Sequence, residues 1–178
     1  SALRTPDGKT GLRGEYYDAL KWPGDPALTQ VDTSLEFYWD NGSPDGMPDD
    51  NFSVRWSGTL IAPETAKYTL ALTSDDGSRL YVNDEMRIDN WGKHGMVTKT
   101  TVVDLKAGEP VDIRIDYYEE TGQAGIVFGW KKVSADPVDE AVETARQSDA
   151  ALVFVGSTAQ LETEGRDRET LELPEGHA

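Results

Sequence analysis

The chain contains no cysteine, only two histidines, and half as many basic as acidic side chains, 17 Lys and Arg against 33 Asp and Glu. Without cysteine there is no disulfide framework, no thiolate metal site and no cysteine nucleophile. With His94 and His177 alone, a zinc centre needing three or four ligands has too few imidazoles. The net charge of -16 repels nucleic-acid phosphates and anionic lipid, so neither is expected as a partner, whereas a neutral sugar is not penalised. No apolar run approaches the roughly 18 residues of a membrane span. The first residues, Ser1 to Gly11, are polar and carry Pro6 and Gly8, so they do not read as a signal peptide. These features leave the compartment open among secreted, periplasmic and cytoplasmic.

What remains is a folded composition, 37% hydrophobic with five Trp and seven Tyr to bury. From about Gly11 to Val133 short alternating segments are separated by turn residues. Phe52, Val54 and Trp56 alternate with Ser53, Arg55 and Ser57; Tyr68, Leu70 and Leu72 alternate with Thr69, Ala71 and Thr73. Asp76-Gly77 reads as a hairpin turn into a return strand holding Leu80 and Val82. Val111, Ile113 and Ile115 form a further strand, and Ile126 to Trp130 another beyond the loop Glu119 to Gly125. The fold class expected is mainly β: an antiparallel β-sandwich over residues 1–133, followed by a truncated α/β segment over 134–178.

In that second part, Asp136-Pro137 reads as a helix start, and Val138, Ala141, Val142 and Ala145 share one face. Asp149 then precedes the apolar run Ala150 to Gly156, which suits a strand buried on both faces in a parallel sheet. The loop that follows carries Glu162, Glu164, Gly165, Arg166, Asp167 and Arg168, where open α/β sheets bind ligands. Two carboxylates there suit a general acid, or else are surface charges paired with the neighbouring arginines.

The run from Ala141 through Pro174 resembles the second domain of family 3 glycoside hydrolases: helix, Asp149, Leu152 to Gly156, Glu164-Gly165, Asp167-Arg168 and Leu173-Pro174 in the family's order. The resemblance implies a retaining β-glucosidase-like enzyme in which Glu164 is the catalytic acid/base, with Glu162 the alternative and Asp167 and Arg168 bracing the loop. The aspartate nucleophile would come from a separate barrel domain, so this polypeptide alone is expected to be inert. The front region is similar to the sandwich domain first described in bacterial protective antigen, which is inserted in many family 3 β-glucosidases. The matching residues are Gly11 to Tyr17, Phe52 to Gly58, Tyr68 to Leu70, Ser74 to Asn83, Ile88 to Trp91 and Phe128 to Trp130.

The resemblance implies a carbohydrate partner, a β-glucoside or related oligosaccharide, together with the remainder of a hydrolase. Trp91, Lys93 and His94, on the segment Asp89 to Gly95, are the candidate substrate-binding residues; Trp91 suits a stacking platform or a core position. In some adhesins with this sandwich, paired aspartates bind calcium. Asp75 and Asp76, with oxygens from the loop Glu119 to Ala124, are the counterpart here, against the simpler reading of a turn. No metal or cofactor is assigned. The other function class is a stand-alone, calcium-assisted carbohydrate-binding module without a catalytic role.

Overall fold

A computed structural model describes residues 2–133, 137–148 and 150. The chain divides into two units, residues 1–133 and 134–178. The first is an antiparallel sandwich. One sheet runs β3 (Leu28–Asp32), β2 (Leu12–Tyr17), β5 (Phe52–Ile61), β10 (Pro110–Glu119), β7 (Ser78–Val82) and β8 (Glu85–Asn90), with β1 (Leu3–Arg4) also on β5. The other runs β4 (Glu36–Asp40), β11 (Ala124–Lys132), β6 (Ala66–Asp75) and β9 (Val97–Leu105). The expected mainly-β sandwich is therefore the observed fold.

The period-two pattern explains which residues face inward. Val54, Trp56, Tyr68, Leu70, Leu72, Leu80, Val82, Ile113 and Ile115 are all buried, and together they join the two sheets. Trp56, the largest of the fully buried side chains, sits edge-on to Tyr16 at 5.9 Å. Its indole N–H donates to Asp32 Oδ2 at 2.7 Å, the Tyr16 hydroxyl donates to the same oxygen at 2.6 Å, and Gln30 Nε2 donates to Asp32 Oδ1 at 2.9 Å. A buried carboxylate is tolerated because three donors face it. Gly14 permits this approach: a Cβ there would lie 2.6 Å from Asp32 Oδ2.

One expectation is corrected by the topology. Asp76-Gly77 does not close a hairpin, because β6 and β7 belong to different sheets. The chain crosses the sandwich there instead, with Ser74 Oγ donating to the Asp76 carbonyl at 2.6 Å. The hairpin follows one strand later, between β7 and β8. Asn83 and Asp84 both take positive φ, 50° and 63°, as a two-residue turn requires. Asn83 also accepts the Asp112 N–H at 2.9 Å, tying the turn to β10.

In the second unit, α1 (Pro137–Arg146) starts at the expected proline. Val138 and Val142 on its apolar face are 63% and 42% exposed. No helix among the described residues is long and apolar enough to cross a membrane. Beyond Ala150, the rest of the expected strand and the loop carrying Glu162 and Glu164 lie outside the described residues.

Asp32→Ala should destabilise the sandwich by about 3 kcal/mol or more, since it strands the Tyr16 hydroxyl and the Trp56 N–H in the core. Asp32→Asn, which keeps one acceptor, should cost less. Urea denaturation measures both, and an alanine variant as stable as the parent contradicts the network.

Candidate functional site

The site grows from the outer face of the larger sheet. The registers place Glu15, Arg55, Asp116, Arg79 and Asp89 opposite one another on neighbouring strands, a row of alternating charge. Arg55 Nε and Nη2 donate to the two Asp116 oxygens at 2.7 and 3.0 Å, and Arg79 Nε donates to Asp89 at 3.0 Å. The guanidinium groups then carry aromatic rings: Arg55 lies 4.4 Å from the Trp22 ring centroid and Arg79 lies 4.4 Å from that of Trp91.

Two residues further along each strand the face turns aromatic. Tyr118 follows Asp116 by two, Trp91 follows Asp89 by two, and their rings are 4.7 Å apart. Gly77 leaves the space for this contact, because a Cβ there would meet Tyr118 Cε1 at 2.2 Å. Trp22 reaches in from the segment between β2 and β3, 6.1 Å from Trp91. The result is a groove of about 740 Å³ walled by Trp22, Trp91, Tyr118, Leu20, Pro23 and Glu120. An apolar groove with a few charged groups at its rim suits a small ligand with one apolar face.

Behind the groove lies an acidic cluster. Asp75, Asp76 and Glu119 are buried, and one oxygen of each lies within 4.8 Å of the others. Asp76 is held by backbone donors: the His94 N–H reaches Oδ1 at 2.9 Å and the Glu120 N–H reaches Oδ2 at 3.1 Å. The Tyr117 hydroxyl donates to the Asp75 carbonyl at 2.6 Å. Glu119 Oε1 is buried with no hydrogen-bond partner. Burial, reinforced by the charges of Asp76 and Asp75, pushes the Glu119 carboxyl up to about 7. Burial and Asp76 likewise raise Asp75.

An oxygen-only donor set with one orphaned oxygen fits a hard cation such as calcium, which takes six or more oxygens. The resemblance raised Asp75 and Asp76, with oxygens from the 119–124 loop, only as an alternative to a simple turn with no metal assigned; the structure brings Glu119 to that pair.

The sequence-derived substrate contacts separate in role. Trp91 is half-buried and forms the middle of the groove, between Trp22 and Tyr118. Lys93 is exposed, donating to Thr121 Oγ1 at 2.6 Å with Glu120 3.5 Å away. The His94 ring lies between two carbonyls, Nδ1 to Gly95 O at 2.8 Å and Nε2 to Asn90 O at 3.0 Å. Carbonyls only accept, so both nitrogens are satisfied together only in the protonated ring. Burial lowers the His94 pKa, but the bonds to Asn90 and Gly95 and the charges of Asp76 and Asp75 outweigh it, for a net rise. His94 therefore braces its own loop. Trp22, Tyr118 and Glu120 were not singled out from the sequence; Trp22 sits in a segment without strand periodicity, and only its neighbour Pro23 marks it.

Residues 8–139 match the PA14 domain family. The anti-sigma-I factor RsgI3 of Acetivibrio thermocellus is 32% identical over 126 residues, 70% of this chain and 19% of that protein. The probable β-glucosidase K of Aspergillus fumigatus is 29% identical over 199 aligned residues, 98% of this chain and 24% of that enzyme. The chain thus spans about a fifth to a quarter of the length of these curated relatives. The PA14 sugar-binding domain of an RTX adhesin shares the fold, with a TM-score of 0.59 at 19% identity over 69% of this chain and 90% of that one.

The raised Glu119 pKa gives a signed pH dependence. The folded carboxyl binds its proton more tightly than the unfolded one, whose reference value is 4.5, so stability is lost as pH rises from there through about 7. Asp75, also raised, acts in the same sense. In chelator-containing buffer, Glu119→Gln should match the parent at pH 4 and exceed it by about 1–3 kcal/mol at pH 8. Equal denaturation midpoints at pH 8 would refute the buried carboxyl.

Proposed function

We propose that this chain, which belongs to the PA14 domain family, is the accessory carbohydrate-recognition segment of a retaining β-glucosidase-like enzyme and also carries that enzyme's acid/base loop. The observation that carries the reading is the groove of Trp22, Trp91 and Tyr118, in a chain aligned over 98% of its length with a β-glucosidase. Apolar faces of a pyranose stack on the indole rings, while Glu120 at the rim, with Lys93 beside it, hydrogen-bonds its hydroxyls. The groove is held by a rigid sandwich, so in the intact enzyme it shapes the aglycone side of the pocket.

Residues 134–178 form, in this reading, a piece of the hydrolase's second domain. Glu164 donates a proton to the departing glycosidic oxygen as a barrel aspartate attacks the anomeric carbon. It then takes a proton from the water that releases the sugar. The two carboxyl groups would stand about 5 Å apart across the bond. Glu162 is the alternative acid/base. Because the nucleophile belongs to another domain, the chain alone turns over no substrate.

A second reading is a calcium-assisted binding module. It is favoured by the convergence of Asp75, Asp76 and Glu119 and by the orphaned Glu119 oxygen. Those three would hold the ion, whose positive charge would neutralise the cluster and stiffen the groove's rear wall. Sugar binding abolished by chelator and restored by calcium supports it; binding indifferent to chelator rejects it.

In the intact enzyme, Glu164→Gln should slow a disaccharide by about 100-fold or more while sparing glycosylation from a nitrophenyl glucoside, whose leaving group needs no proton. Azide should restore turnover and yield the β-glycosyl azide, with Glu162→Gln as the control. If neither variant shows leaving-group dependence or azide rescue, the acid/base lies elsewhere. Trp91→Ala in the isolated chain should weaken oligosaccharide binding by roughly tenfold, the loss of about 1.4 kcal/mol of stacking. Unchanged affinity would remove the groove from the account.

A further inference from the structure

The sandwich is open along one side, where β3 and β4, the terminal strands of the two sheets, do not pair with each other. A cleft of about 440 Å³ lies there, lined by Phe37, Trp39, Gln30, Tyr16, Ser43 and Asp45 among others. Phe37 and Trp39 are both half-buried, and their rings are stacked within 7° of parallel at 5.0 Å. Phe37 also stacks on Trp56 at 6.1 Å, so both its faces are taken, and Trp39, which packs on Phe52 and Tyr117 as well, brings the outer end of this aromatic column to the cleft.

The polar side of the cleft is oriented from beneath. Tyr16 spends its only hydroxyl proton on the buried Asp32 carboxylate. Gln30 must therefore turn its NH₂ inward, donating to Tyr16 Oη at 3.1 Å and to Asp32 Oδ1 at 2.9 Å. A carboxylate cannot donate, so the amide cannot flip, and its carbonyl oxygen is left as a fixed acceptor on an exposed residue of the cleft wall. Asp45 adds an exposed carboxylate and Ser43 a hydroxyl.

A half-buried indole beside fixed acceptors is complementary to a ring with one apolar face and several hydroxyl donors. Acceptors suit donors, and the net charge of -16 disfavours an anion. We infer that this lateral cleft is a second carbohydrate-binding site, for a neutral pyranoside unit of an oligosaccharide. It is built from residues separate from the Trp22–Trp91–Tyr118 groove. The ring packs on the exposed part of Trp39, and its hydroxyls donate to the Gln30 carbonyl and the Asp45 carboxylate. The chain then holds one oligosaccharide type at two independent places, and the cleft does not depend on the groove's role.

The five indole N–H resonances of the whole chain provide the test, with cellotetraose as the probe. Trp39 and the Gln30 side-chain amide should shift together and saturate, while Trp130, packed on Tyr68, stays unmoved. Trp91→Ala should leave the Trp39 titration within about twofold, because the sites share no residue. Asp45→Ala and Gln30→Ala should each weaken it about three- to tenfold, the loss of one hydrogen bond. Trp39→Ala would disturb the core and Gln30→Ala also removes a donor from the buried Asp32, so Asp45→Ala carries the comparison. A Trp39 signal unmoved at millimolar cellotetraose overturns the inference, whatever Trp91 does; if Trp91 responds alone, the groove reading stands. A Trp39 shift that vanishes in Trp91→Ala means a single site and also overturns it. A Trp39 shift without any response at Trp22 or Trp91 supports the cleft and counts against the groove.

Discussion

A carboxylate taken out of water has to be met by donors, and the way Asp76 is met organises one end of this molecule. Asp76 lies 2% exposed at the point where the chain crosses from one sheet to the other. Its two oxygens accept N–H groups from His94 and Glu120, which belong to different loops. Charge-assisted bonds of this kind are stronger than neutral ones and fix direction as well as distance. Each loop is thereby pinned to the crossover, and each delivers a wall of the groove: Trp91 lies three residues before His94, and Tyr118 two before Glu120. His94, wedged between the Asn90 and Gly95 carbonyls, stiffens the first loop from within.

The second support comes from the sheet itself. Arg55 and Arg79 flank Asp116 across neighbouring strands, and each guanidinium faces an indole ring of the groove. The aromatic residues are thus held by charges at their faces and by backbone hydrogen bonds behind their loops. Order of this kind lowers the entropy cost of binding, because the side chains that meet a ligand are already placed. Such a groove is consistent with recognition of a neutral, partly apolar molecule by a strongly acidic protein.

Much of the sandwich was legible in the sequence where strands are buried on one face and wet on the other. β7 alternates throughout and β5, β6 and β10 over most of their length, and their inward apolar residues are the core. β9 was illegible because its first six residues are exposed or half-exposed and offer no apolar period, and β3 has a single buried position. The Asp76-Gly77 dipeptide misled for a physical reason. Turn-forming residues report a change of chain direction, but not whether the chain returns to its own sheet or crosses to the other. At the site, Trp91 and the aspartate pair could be picked out as chemical types. Trp22, Tyr118 and Glu119 gain their meaning only through strand register and the crossover, which bring distant segments together.

The central claim is that the Asp76 anchor holds an aromatic groove that binds sugar. The most direct test is the affinity of Asp76→Asn for a β-gluco-oligosaccharide, measured calorimetrically beside the parent chain. The amide keeps one acceptor and turns an NH₂ toward the other N–H donor, releasing one loop while the distant core network at Asp32 persists. The account predicts cooperative unfolding of the sandwich together with binding weakened by about tenfold or more, the cost of one lost charged anchor. Parent-like affinity in a folded Asp76→Asn variant would contradict it.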